Sequence, residues 1–116
     1  MANIFKLKTK SGVNGAALST VYTVPSSTTS VIIGLTISNI KGQSITTDAQ
    51  IVTASSSGEN ADDVYIIKDA PLPAGSSLEV MSGNKIILQT GDVVKAGGSN
   101  SSGADADVIL SIMEIT

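Results

Sequence analysis

The sequence contains no cysteine and no histidine, and all seven of its basic residues are lysine. Without cysteine there is no disulfide to support the fold and no thiolate for catalysis or metal binding. Without histidine, Ser–His–Asp and Cys–His arrangements are excluded, and the commonest general base and zinc ligand is missing. Aromatic residues are scarce: Phe5, Tyr22 and Tyr65 make up 3% of the chain. Sugar clefts and single-strand nucleic-acid platforms rely on several such rings. Charged residues are 15%, with a net charge of −3 and scattered lysines. Nucleic-acid recognition calls for a clustered basic face, so neither DNA nor RNA is an expected partner. No apolar run approaches the length of a membrane span. The segment Met1 to Lys10 alternates charge and apolarity and lacks the apolar core of a signal peptide. The expectation is a chain made in the cytoplasm, with no membrane, cofactor or small-molecule substrate, and without enzymatic activity.

Phosphate-binding signatures are also missing. There is no GxxxxGK[ST] loop, and Gly97-Gly98-Ser99 is followed by no helical pattern, so it reads as a linker.

What is present is period-two alternation. Val31, Ile33, Leu35 and Ile37 fall on one face of a strand running from Ser30 to Asn39, with Gly34, Thr36 and Ser38 on the other. In Asp107 to Ile115, Val108, Leu110 and Ile112 share one face and Ile109 and Met113 the other, which predicts a strand covered on both sides. Shorter strands are predicted at Ile4 to Lys8, Leu18 to Val24, Thr46 to Ala54, Val64 to Lys68, Ser77 to Met81, Lys85 to Gln89 and Asp92 to Ala96. Glycine and proline punctuate them, as in Ser11-Gly12-Val13-Asn14-Gly15, Pro71-Leu72-Pro73-Ala74-Gly75 and the tight turn at Thr90-Gly91. No helical period persists. The expected fold is all-β: one antiparallel β-sandwich of eight to nine short strands, jelly-roll-like or Greek-key, filling a single domain over residues 1–116. Residues 1–17 are expected as an N-terminal arm, and 55–62 and 97–105 as long exposed loops rich in Ser, Gly, Asn and Asp.

Few groups carry chemistry. Glu59, Asp62, Asp63, Asp105 and Asp107 lie where these loops re-enter strands, and gathered at one end they could hold a hard cation by oxygen ligands. The plainer reading is stronger: aspartate tolerates turns and keeps loop tips soluble. No metal site is therefore assigned. Lys6 and Lys8 share a face with Lys10 and suit either an acidic neighbour or an edge guarded against aggregation. Tyr22 and Tyr65 are either interface anchors or, as preferred, margin residues with a buried ring and a wet hydroxyl.

Three stretches carry a resemblance. They are Val21-Tyr22-Thr23-Val24-Pro25-Ser26-Ser27-Thr28-Thr29-Ser30-Val31-Ile32-Ile33, then Tyr65-Ile66-Ile67-Lys68-Asp69-Ala70-Pro71-Leu72-Pro73-Ala74-Gly75-Ser76-Ser77-Leu78-Glu79, and Lys85-Ile86-Ile87-Leu88-Gln89-Thr90-Gly91-Asp92-Val93-Val94-Lys95. In order and spacing they resemble a loose group of small β-sandwich virion proteins of tailed phages, including cyanophages. The resemblance implies a structural subunit located in the virion and transfers no catalytic residue. The expected role is capsid decoration or cement, bound to the major capsid or neck and tail proteins, as a homo-oligomer such as a trimer. The alternative is a neck, collar, baseplate or fibre component that binds host or glycan through its long loops.

Overall fold

Alternating β-branched runs separated by glycine and proline turns can bury only one face of each strand. The chain meets that constraint with two sheets laid face to face. The computed structural model describes residues 2–53, 62–99 and 103–116. It contains strands β1 (Asn3–Val13), β2 (Ser19–Thr23), β3 (Thr29–Asn39), β4 (Ile45–Val52), β5 (Val64–Leu72), β6 (Ser77–Glu79), β7 (Ile86–Leu88), β8 (Val93–Gly97) and β9 (Ala106–Ile115). One sheet has the order β1-β9-β3-β6, with β7 also on β3; the other runs β2-β8-β4-β5. Every pairing is antiparallel. The chain changes sheet at each step except β4 to β5 and β6 to β7, the connectivity of a jelly roll.

The core lies between the sheets. Ile32, Leu35, Ile37, Val108, Leu110 and Ile112 point into it from the first sheet. Ile45, Ala49, Ile51, Val94 and Ala96 meet them from the second. With so few aromatics, aliphatic side chains fill the space, as the composition requires.

Several expectations need correction. Residues 3–13 are a full strand along β9 rather than an arm, because Asn3 to Lys10 pair one for one with Ile115 to Val108. In β3 a bulge between Ile32 and Gly34 breaks the alternation. Ile32, Leu35 and Ile37 therefore face inward, while Val31 and Ile33 do not join them. β5 continues through Pro71 to Leu72. It is an edge strand, where a residue lacking an N–H costs no ladder bond. β9 is covered on one face only, and Ile109 stays exposed. The 97–105 segment is not exposed throughout: Gly97, Gly98 and Asp105 are buried, and residues 100–102 lie outside the described residues. Of the 55–62 loop only Asp62 is described.

One close approach fixes how β1 leads into β2. A Cβ on Gly15 would lie 2.7 Å from the Ser99 backbone carbon and 2.8 Å from the Gly98 carbonyl oxygen. These are backbone atoms and cannot swing aside. Gly15→Ala is expected to cost about 1–3 kcal/mol, read as a lower urea midpoint with an unchanged slope.

Candidate assembly interface

β1 has inverted polarity. Ile4, Lys6, Lys8 and Lys10 stand opposite Glu114, Ile112, Leu110 and Val108, the inward-facing residues of β9. Phe5 and Leu7 stand opposite Met113 and Ser111 and so point away from the core. A strand built only to cover this core would have the reverse arrangement. Phe5 is 73% exposed and Leu7 64%.

The outward residues join a larger apolar surface. Phe5 pairs with Met113, Met113 with Val31, and Val31 with Ile87, one row across four strands. Ile33 and Ile109 add exposed apolar surface beside it, and Ile87 is 65% exposed. No charged residue interrupts that row. Exposed apolar patches of several hundred Å² mark interaction sites on soluble domains.

On the inner side of β1 the lysines meet a buried polar network. Lys6 Nζ lies 2.8 Å from Glu114 Oε1. Tyr22 OH donates to Glu114 Oε2 at 2.5 Å and lies 2.6 Å from Ser30 Oγ. The phenol has one proton and a carboxylate only accepts, so the Ser30 hydroxyl donates to Tyr22. Glu114, Tyr22 and Ser30 are all buried. Lys6 and then Tyr22 hold the Glu114 carboxyl below its ordinary range, against the opposing effect of burial. Burial, reinforced by the bond to Glu114, pushes the Tyr22 phenol up to about 12. Lys8 Nζ sits 5.8 Å from the Tyr22 ring centroid. The network pins β1 to the body of the sandwich by charge instead of by apolar burial.

A second feature lies at the far edge of the molecule. There β7 and the start of β5 flank a mostly apolar groove of about 330 Å³, lined by Ile51, Val64, Tyr65, Ile86 and Ile87 among others. Val64 is 52% exposed. Asp63 Oδ1 accepts from Thr53 N at 3.1 Å, on the rim of the same groove.

No protein-family model matches the chain, and no curated protein matches it. A solved structure of Bacillus endospore appendages, described as a family of disulfide-linked pili, aligns at 13% identity with a TM-score of 0.48. The alignment covers 96% of this chain and 86% of that one. A likeness of that extent assigns no role.

The acidic candidates do not converge. Asp62 and Asp63 follow the Val52 end of β4, where Thr53 Oγ1 donates to the Asp62 carbonyl. Asp105 sits at the opposite end, fully buried, 3.5 Å from Lys41 Nζ, with its backbone bonded to Val13 and Ile40. Asp107 accepts from Gly12 N at 3.1 Å. Glu59 lies outside the described residues. Among the described residues no group of three or more acidic side chains is placed to hold a metal ion.

Of the four interface candidates, Lys6 and Lys8 do lie on an edge strand, but on its inner face. Tyr22 departs from expectation: its hydroxyl is inside the network, not in water. Tyr65 is a margin residue, 42% exposed, with Lys68 Nζ 4.9 Å from its ring centroid. Sequence reasoning missed Glu114 and Ser30. The available signal was a charge at the inward phase of an otherwise apolar strand, in Leu110, Ile112, Glu114.

Proposed function

We propose that this chain is a non-catalytic structural subunit of a tailed-phage particle, acting as a capsid decoration or cement protein. The observation that supports assembly is the uncharged row Phe5, Met113, Val31 and Ile87 on the outer face of the first sheet. A domain of this size gains stability by covering such a surface with a neighbour. The particle itself enters through the three stretches that resemble tailed-phage virion proteins. In this role the jelly roll is a stiff block, and repeated weak contacts reinforce a lattice by avidity.

Quantitative mass spectrometry of purified particles tests the reading. Copy number on the scale of the major capsid protein is the expected result. A small symmetric number moves the subunit to the neck, tail or baseplate. Absence from washed particles ends the virion reading.

A further inference from the structure

The first sheet ends in β1 on one side and in β6 and β7 on the other, while the second ends in β2 and β5. The molecule thus has two unlike edges. β1 and β2 form one; β5, β6 and β7 form the other.

The charges of the two edges differ in sign. β1 carries Lys6, Lys8 and Lys10, and neither β1 nor β2 carries an acid. Glu114 balances Lys6, which leaves Lys8 and Lys10 as the net charge of that edge. At the other edge, Asp62, Asp63, Asp69 and Glu79 outnumber Lys68 and Lys85.

Openness to pairing differs as well. β1 is eleven residues long, contains no proline and pairs only with β9. Such an edge is a template for another strand. A second β1 fits poorly, since antiparallel pairing would set lysine opposite lysine on the shared inner face. The acidic edge offers the short β7 beside the apolar groove.

We propose that copies of this chain associate head to tail, with the β1 edge of one against the β7–β5 edge and groove of the next. Strand addition preserves faces. Phe5 and Leu7 then extend the outward row at Ile87. Lys8 and Lys10 turn to the inner side, where their stems cover the groove and their heads reach towards Asp62 and Asp63. The contact is heterologous, so it generates a ring if the rotation closes and a filament if it does not. The inference builds on the structural-subunit reading, but it concerns the purified chain alone, so absence from particles would not remove it.

Two variants test it in sedimentation velocity. One, Phe5→Asp with Leu7→Asp, spoils the basic edge. The other, Val64→Asp with Ile87→Asp, spoils the groove. All four side chains are exposed, and matching circular dichroism and thermal midpoints confirm that each variant folds. The wild type is expected to sediment as species larger than a monomer, and less so as salt is raised. Each variant alone is expected to be a monomer. Mixed, they retain one good edge each and should form a species of twice the monomer mass that grows no further. A wild type that stays monomeric at high micromolar concentration overturns the proposal. So does a mixture that stays monomeric, and so does a groove variant that dimerises on its own, the outcome expected if β1 instead met β1 across a two-fold axis.

Discussion

Leu110→Ala is expected to lower the unfolding free energy by about 2–5 kcal/mol, while Phe5→Ala, a larger truncation, changes it by no more than about 0.5 kcal/mol. Leu110 is fully buried between the sheets, where removing its side chain leaves a cavity that close-packed neighbours fill only in part. Phe5 is the sole phenylalanine and is 73% exposed. Against a folding free energy of order 5–15 kcal/mol, the first loss is a large fraction of the whole. Urea midpoints at low protein concentration measure both, since association would otherwise add its own stabilisation. A Phe5→Ala loss as large as that of Leu110→Ala would mean that the outer face of β1 is covered within the folded unit, and the assembly surface would have to be sought elsewhere. The expected contrast means that the most apolar side chain of the N-terminal strand does little for the fold of its own chain.

The architecture was legible because period two survives in most strands. Ser19 to Thr23, Ile45 to Val52 and Ala106 to Ile115 fall close to where alternation and turn residues put them. The glycine turn at Thr90-Gly91 is present, with Gly91 at φ 89°. It joins strands of different sheets, however, and not a hairpin. Local turn chemistry specifies a reversal without specifying which strand receives the next bonds. The β3 faces were misread because a bulge is one residue of register, set by pairing with β9 and invisible in β3 alone. The same limit hid the polarity of β1: Lys6, Lys8 and Lys10 visibly share a face, but only the register with β9 shows that face to be the inner one. Glu114 was overlooked because its partners, Lys6 and Tyr22, lie about a chain length away in sequence. The exposed second face of β9, read as buried from its apolar residues, is the strongest remaining argument for a partner.

Acidification should destabilise the chain, and Glu114→Gln should remove much of that dependence. The bond from Lys6, followed by that from Tyr22, holds the Glu114 carboxyl below its ordinary pKa, and burial opposes them without prevailing. The unfolded chain therefore takes up this proton first as pH falls. The stabilisation is complete above the unfolded value and is lost as pH drops through the folded one. Glu79 acts in the same direction. Burial raises its pKa, but bonds from the Met81 and Leu35 backbone N–H groups and the Thr36 hydroxyl outweigh that effect. Urea midpoints taken stepwise from neutral pH to below 4.5 should fall steeply for the wild type and less so for Glu114→Gln, the remainder belonging to Glu79. An unchanged acid slope in the variant would show that Glu114 is not held by Lys6 in solution. Tyr22→Phe probes the same network from the other side. It strips a donor from Glu114 and an acceptor from the Ser30 hydroxyl, both buried, and should cost about 1–3 kcal/mol at neutral pH. Above pH 10 the sign reverses. With the phenol raised to about 12 in the folded chain, its contribution holds below the unfolded value and is lost as pH climbs through the folded one. Stability should thus fall at both extremes, and at both it should be the attachment of β1 that weakens. β1 also carries the basic edge, so head-to-tail association should fail on acidification together with the Lys6–Glu114 pair.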